Sequence, residues 1–225
     1  MLCRVKHSVV ANREVALEAD RLCSVEVADK KATHMSLDEA CGYYVITPRF
    51  PVDQGVKRKC GKLKRRVRLI DDFSASGVNN CVSPGEKIDH DYLDVLVGTM
   101  QMLASGGRRL KLRKDDFVGA YKTLPLMEKE LDLAVAVSKN SDGKVQALQL
   151  LCCPFGAVGS VHGWHRLGAA MQIILSRLFG IAYPRYVDDL FGADLDDAPE
   201  ECPVATAVGT SHLARWVIES LLGWE

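Results

Sequence analysis

At 225 residues, with 48% hydrophobic and 26% charged side chains, the chain is long enough to bury a core as one domain or as one domain with a lobe. No apolar run is long enough to cross a bilayer, and the first ten residues, with Arg4, Lys6 and His7, lack the apolar centre of a secretory signal. Lys plus Arg (29) equals Asp plus Glu (29), a balance that hides a marked local asymmetry. The eight cysteines (Cys3, Cys23, Cys41, Cys60, Cys81, Cys152, Cys153 and Cys202) form no C-x-x-C and no zinc-type spacing with histidine. They predict reduced, mostly buried thiols in an intracellular protein of the cytoplasm or nucleus. His162 and His165 have no Cys or carboxylate beside them in sequence and read as ordinary helix residues.

Taken in order, Arg13 to Leu22 carries Val15, Leu17, Ala19 and Leu22 among charges and predicts a weak amphipathic helix. Ser36-Leu37-Asp38-Glu39 has the spacing of a capping box and opens a short helix. Tyr43 to Thr47 is a β-rich run that Pro48 is expected to end. From Lys57 to Arg68 the sequence is the most basic in the chain. A solvated face or a localisation signal accounts for such a block, and so does a surface for phosphates. The second reading is favoured because the block runs into Val67 to Phe73, which alternates as a strand before Ser74 to Asn79 turns away.

Asp89 to Leu103 has helical spacing with Asp89 placed to cap, and Gly106-Gly107 marks its end. Leu110 to Lys114 alternates as a strand that reaches Asp115-Asp116, and the segment Phe117 to Leu126 follows. Leu131, Leu133, Val135 and Val137 predict a strand, Asn140 to Gly143 a turn, and Lys144 to Cys153 the returning strand. Pro154 to Ser160 closes that hairpin, and a helix is expected from about Val161 to Phe179. Tyr186-Val187-Asp188-Asp189-Leu190-Phe191 reads as strand, tight turn and strand, with the acidic pair at its tip. Ala205 to Leu222 predicts a last helix with Gly223 as its C′ residue. Hairpins mixed with helices, without regular βα alternation, point to an α+β fold.

Adjacent carboxylates at a turn are common, and alone they suggest only a surface hairpin. Here a second strand-borne carboxylate, Asp116, precedes them by a hairpin and a helix. Hard oxygen donors on two strands are what a two-metal phosphoryl-transfer site requires. Four motifs then stand in order: Arg68 with Asp72, Phe73 and Asn79; Asp116-Phe-Val-Gly-Ala120-Tyr121, continuing to Leu124-Pro125-Leu126; Pro154-Phe155-Gly156-Ala157-Val158-Gly159-Ser160; and Tyr186-Val187-Asp188-Asp189. Together they resemble the fingers and palm of a reverse transcriptase, the RNA-directed DNA polymerase of retroelements, over roughly residues 60 to 225.

The resemblance implies an N-terminal extension or part of the fingers at 1–56, followed by fingers and palm at 57–225. Fingers are expected at about 57–105 and 127–153, and palm at about 106–126 and 154–225, with an antiparallel palm sheet backed by helices. It implies that Asp116, Asp188, Asp189 and the Phe117 carbonyl hold two Mg²⁺ ions, with Mn²⁺ as a substitute. Asp115 is out of step with Ala120-Tyr121 and receives no metal role. Phe117 and the backbone of Val118, Gly119, Ala120 and Tyr121 would cradle the phosphates of the incoming deoxynucleoside triphosphate. Arg68 would clamp the triphosphate together with a lysine, Lys62 or Lys64. The Tyr121 ring would lie under the sugar and exclude a 2′-hydroxyl. Phe155, where retroviral enzymes carry glutamine, would stack on substrate and points to other retrotransposons. Gly156 and Gly159 would let the backbone approach template or nucleotide closely.

The implied activity is DNA synthesis on an RNA or DNA template from a primer strand. The sequence stops at Trp224-Glu225, before the family's thumb and RNase H regions, which suggests a truncated copy or partial enzyme. Three other readings stay open. An RNA-dependent RNA polymerase has the same palm, although Tyr121 and Tyr-x-Asp-Asp speak against it. A catalytically inactive remnant, or a domesticated copy, would bind nucleic acid without chemistry. A metal-free interaction module would use only the basic arm.

Overall fold

The computed structural model describes residues 12–59, 61–83, 85–117, 119–196 and 210–223. The protein is a mixed α+β fold divided into two compact units, each assembled from two stretches of chain: 1–85 with 121–161, and 86–120 with 162–225. Among the described residues, no helix is long and apolar enough to cross a membrane.

The first unit begins with helix α1 (Arg13–Ala28), started by Asn12, whose side chain accepts the Glu14 N–H at 2.9 Å. Its buried residues, Val15, Ala16, Ala19, Cys23 and Glu26, recur at helical spacing and form one stripe. Strand β1 (Ala32–Met35) follows, then helix α2 (Leu37–Tyr43), which Ser36 caps by accepting the Glu39 N–H at 3.2 Å. This confirms the expected cap, and it takes Tyr43 and Tyr44 away from the expected strand, since they form the end of α2 and its C-cap.

Strand β2 (Ile46–Lys59) is not ended by Pro48 and passes through Pro51 as well. Pro48 lies opposite Val137, and its carbonyl accepts the Asp72 N–H at 2.9 Å. A proline is tolerated in a strand where its nitrogen is not required as a donor. β2 pairs antiparallel with β3 (Lys62–Asp71), with a bulge between Asp53 and Val56 where Gly55 takes φ 83°. The described residues of the basic block therefore belong to an ordered hairpin, 57–59 on β2 and 62–68 on β3.

Strands β4 (Leu110–Asp116), β5 (Val135–Lys139) and β6 (Val145–Leu150) come next in the chain. β5 and β6 form the expected hairpin over the Asn140–Gly143 turn. The expected strand does not extend back to Leu131, however, because Glu128–Leu133 winds as a 3₁₀ helix. In the first unit the sheet order is β1-β6-β5-β2-β3, parallel only between β2 and β5. The central strand β5 is buried on both faces: Ala136 joins Ala19, Leu69 and Leu148 on one side, while Val135 and Val137 pack with Ala40 and Ala147 on the other. Burying a side chain of Leu or Val size contributes about 1.5–3 kcal/mol.

The second unit contains helix α3 (Leu93–Leu103), β4, most of helix α4 (Val158–Phe179), β7 (Arg185–Tyr186), β8 (Asp189–Leu195) and helix α5 (Thr210–Leu222). Its sheet is antiparallel in the order β4-β8-β7. Asp89 does not cap α3: the N-cap is Tyr92, with no side-chain bond. The neighbouring Asp91 is engaged elsewhere, exchanging backbone and side-chain hydrogen bonds with Arg185. α3 ends before Gly106 and Gly107, both at positive φ, and α5 ends before Gly223 at φ 64°, as expected. Residues 205–209 of the expected last helix, and the site residue Val118, lie outside the described residues.

Among the described cysteines, Cys23 and Cys152 are buried free thiols, Cys153 is half-buried, and Cys41 and Cys81 are exposed; Cys3, Cys60 and Cys202 lie outside the described residues. Burial pushes the Cys152 thiol up to about 11, which keeps it protonated and unreactive.

Candidate active site

In the second unit, β4 ends on Asp116 and β8 begins on Asp189, and the ladder sets the two residues directly opposite each other. Directly paired residues project to the same face of an antiparallel sheet, so the two carboxylates share one face at the rim. Asp115 pairs with Leu190 and, by strand alternation, belongs to the other face. Asp188 occupies the turn between β7 and β8, and its carbonyl accepts the Phe117 N–H at 3.3 Å. The expected strand–turn–strand is therefore present, although its first arm is only Arg185–Tyr186 and Ile181 to Tyr183 stay outside it. Val187 stands in the turn at φ 57°, a left-handed conformation that is costly for a β-branched residue.

Lys114 precedes Asp116 by two residues and so lies on the same face, diagonal to Asp189. Its ammonium nitrogen is 2.7 Å from Asp189 Oδ2. The hydrogen bond to Asp189 raises the lysine pKa, and the charges of Asp189, Asp116 and Asp188 add to that effect. One cation thus feels all three carboxylates. Among the described residues, no three His, Cys, Asp or Glu side chains are drawn together as a ready-made metal cage.

Two donors converge on the Val187 carbonyl: the Trp164 indole N–H and Arg185 Nη1, each at 2.9 Å. The Phe117 ring meets Trp164 edge-on, with centroids 5.0 Å apart. Gly119 takes φ 69° and is exposed, while Ala120 is buried.

In the first unit, a second group of expected residues comes together. The Arg68 guanidinium carbon lies 5.0 Å from the centre of the Phe155 ring, and the Tyr121 ring centre is 5.8 Å from the same ring. Phe155 is thus the common neighbour of a cation and a second aromatic. Lys64 is exposed and stands 4.0 Å from Glu18 Oε1, a long and weak contact.

The two loop glycines differ. Gly156 has φ 106°, and a Cβ there would collide with the Asp71 carbonyl oxygen, so the close approach is to this chain's own backbone. Gly159 lies inside α4, where a Cβ would meet nothing. Asn79 fixes this loop from both ends, donating from Nδ2 to the Gly156 carbonyl at 3.0 Å and accepting the Val158 N–H at 2.9 Å. Asp72 turns the chain by accepting the Ala75 N–H at 2.9 Å, and Phe73 is buried in the core.

The sequence reading missed Lys114, Trp164, Arg185 and the buried cation Arg49. Lys114 is detectable only once the β4–β8 register is known, and Trp164 reads as a core aromatic in a helix. Arg49 bonds Asp71 and Glu26, and Glu26 also bonds Lys122, the neighbour of Tyr121. No family model matches the chain, and no curated protein matches it.

Proposed function

We propose that the chain is the fingers-and-palm portion of a reverse transcriptase, extending a DNA strand on an RNA template by nucleotidyl transfer. The observation that carries the reading is the register of β4 and β8, with Asp116 opposite Asp189 at the rim and Asp188 in the adjoining turn. The donor set suits Mg²⁺, which takes hard oxygens, keeps part of its water and phosphate shell and needs only one or two carboxylates from protein. The Lys114 ammonium, raised in pKa by all three carboxylates, marks where positive charge is attracted. Asp116, Asp188, Asp189 and the Phe117 carbonyl are the groups we assign to the ions. When bound, Mg²⁺ supplies a lowered pKa for the primer 3′-hydroxyl and charge neutralisation for the departing pyrophosphate.

The chain's own groups do the positioning. Arg68 pairs with the triphosphate, and the Tyr121 ring excludes a ribose 2′-hydroxyl, which selects deoxynucleotides. Phe155, whose ring neighbours both side chains, helps to hold them. The primer 3′-hydroxyl gives its proton to water as its oxygen bonds to the α-phosphorus, the bond from that phosphorus to the bridging oxygen breaks, and pyrophosphate leaves with the electron pair.

One observation favours a second reading. Lys57, Arg58, Lys64 and Arg66 are exposed on the β2–β3 hairpin, a basic surface suited to binding nucleic acid without any chemistry. Primer extension on an RNA template with deoxynucleotides and Mg²⁺ separates the two, using wild type and Asp188→Asn. Extension by wild type that disappears in the variant supports the polymerase. Salt-sensitive binding by both proteins, with extension by neither, supports the binder.

A further inference from the structure

Valine is branched at Cβ and disfavours the left-handed region, yet Val187 adopts φ 57° between Tyr186 and Asp188. Strain of this kind persists only where surrounding contacts over-determine it. Here the surrounding contacts converge on one atom. The Val187 carbonyl oxygen has two acceptor directions, and both are filled, by Trp164 Nε1 and Arg185 Nη1 at 2.9 Å each.

Both donors are built in. Trp164 is fully buried in α4, with the Phe117 ring against it. Arg185 is 2% exposed, an unusual place for a guanidinium, and the groups it bonds are neutral: the Val187 carbonyl, the His165 carbonyl at 3.4 Å and the His165 ring nitrogen Nδ1 at 3.1 Å. Its Nε is buried without a hydrogen-bond partner. Its backbone is held to Asp91, whose Oδ2 accepts the Arg185 N–H at 2.9 Å and whose own N–H donates to the Arg185 carbonyl at 3.2 Å. Gln172 bonds the same Asp91 oxygen. α4 opens the space that the guanidinium occupies: a Cβ at Gly168 would lie 2.7 Å from Arg185 Nε.

We propose that Trp164 and Arg185 are positioning residues, which together hold Val187 in its left-handed conformation through its carbonyl and thereby fix the direction of Asp188 and Asp189. The proposal rests on the reading of those carboxylates as the metal-holding groups. Relaxation of Val187 to ordinary extended backbone rotates the peptide into Asp188 and breaks the bond from Phe117 to the Asp188 carbonyl, so that the residue after β4 loses this bond to the turn at the rim. Neither residue touches nucleotide or metal in this scheme.

The test compares the full chain with Trp164→Phe, Arg185→Met and Gly168→Ala, each alone and combined with Val187→Gly. Glycine adopts the left-handed conformation without cost and so removes the need for the clamp. Gly168→Ala displaces Arg185 without altering either donor. The first readout is amide hydrogen exchange at Phe117, with Lys111, a hydrogen-bonded position toward the far end of the β4–β8 ladder, as internal reference. Each single variant is expected to speed exchange at Phe117 about tenfold while the reference stays unchanged, and Val187→Gly is expected to slow it again. In primer extension, kcat is expected to fall about 10- to 100-fold with KM for the deoxynucleotide unchanged, and Val187→Gly to recover much of it. Arg185→Lys, which keeps a cationic donor, is expected to fall between wild type and Arg185→Met.

Unchanged exchange at Phe117 overturns the proposal. So does exchange that rises equally at Lys111, which makes Trp164 and Arg185 simple packing residues, or a failure of Val187→Gly to rescue. The exchange readout needs neither metal nor turnover. A wild-type chain that does not extend primer and does not bind Mn²⁺ overturns the polymerase reading, while Phe117 exchange still decides the clamp.

Discussion

Arg49 grips both carboxylate oxygens of Asp71, from Nε at 2.6 Å and Nη2 at 3.1 Å, with both side chains almost entirely excluded from solvent. The same guanidinium donates from Nη1 to Glu26 at 2.7 Å, so three elements, α1, β2 and β3, meet on one cation. A buried charge left without its partner is strongly destabilising, whatever the net worth of the intact pair. Arg49→Met is expected to lower the urea-unfolding free energy of the protein by about 3–5 kcal/mol. Arg49→Lys is not expected to restore it, because an ammonium cannot reproduce the planar fork. A loss below about 1 kcal/mol would show that the network contributes no more than a surface pair.

The same network sets an acid limit. Burial raises the Glu26 pKa, but Arg49 and Lys122 outweigh it and hold the carboxyl below its ordinary value of 4.5. A depressed carboxylate contributes stability above its unfolded pKa and loses it as the pH falls through the folded one. Unfolding free energy is therefore expected to decline below about pH 4.5, with Glu26→Gln less stable at pH 7 and flatter in that acid range. Matching acid slopes in wild type and Glu26→Gln would remove Glu26 from the account.

The two glycines of the Pro154–Ser160 loop are expected to respond oppositely to alanine. At Gly156 an alanine has both a forbidden φ and a collision with the Asp71 backbone, costing about 2 kcal/mol or more. At Gly159 the new methyl meets nothing and sits in a helix, so alanine is expected to stabilise by up to about 1 kcal/mol. Thermal unfolding of the two variants settles the sign of each.

Lys114 is expected to compete with divalent cations for the acidic rim. Lys114→Gln should lower the Mg²⁺ concentration needed for half-maximal primer extension and tighten Mn²⁺ binding measured by electron paramagnetic resonance. At saturating metal the two proteins should extend equally. A Mg²⁺ requirement that stays the same or rises would mean that the lysine does not occupy the cation position.

His90 and His165 both have pKa values below the ordinary 6.5, first because of burial and then because of the Arg185 charge. His162 adds to the effect on His165, while Glu86, Asp89 and, for His90, Asp91 work against it. The His165 Nδ1 faces Arg185 Nη2 at 3.1 Å and must be unprotonated to accept from it. A histidine with a depressed folded pKa contributes stability above its unfolded value that disappears as the pH falls through the folded value. The melting temperature should thus drop from pH 6.5 downward, and less steeply in His165→Gln, which keeps an acceptor. Parallel melting curves across that range would rule these histidines out.

Local chemistry made much of the fold legible. Ser36 caps, Asn140 to Gly143 turns, and Gly223 ends a helix, each through contacts within a few residues of itself. Asp188 was legible as a turn residue for the same reason, whereas Asp189, expected beside it at the tip, opens β8. Pro48 misled because its effect depends on which side of β2 needs a donor, and Asp89 because Asp91 had already committed that segment to Arg185. Leu131 and Leu133 alternate like a strand, but Glu130 folds back to the Met127 N–H and tightens the segment into a 3₁₀ turn. The candidate site was legible as a set of residue types and not as contacts. The Lys114–Asp189 pair and the stacking of Arg68 on Phe155 depend on register and loop closure across long stretches of sequence.

The strand order of the first unit constrains how the protein forms during synthesis. β1, among residues 32–35, pairs only with β6 at 147–150, and the start of β2 pairs with β5 at 135–137. A nascent chain that has exposed everything up to the Asp116 motif still lacks the two central strands of its first sheet. Contacts between such distant segments carry a loop-closure penalty and form late. The emerging half-sheet, with its unpaired backbone edges, is therefore the species most exposed to aggregation and to chaperone capture. Ribosome-stalled chains released before residue 150 should remain protease-sensitive across β1 and β2, and those released after it should not.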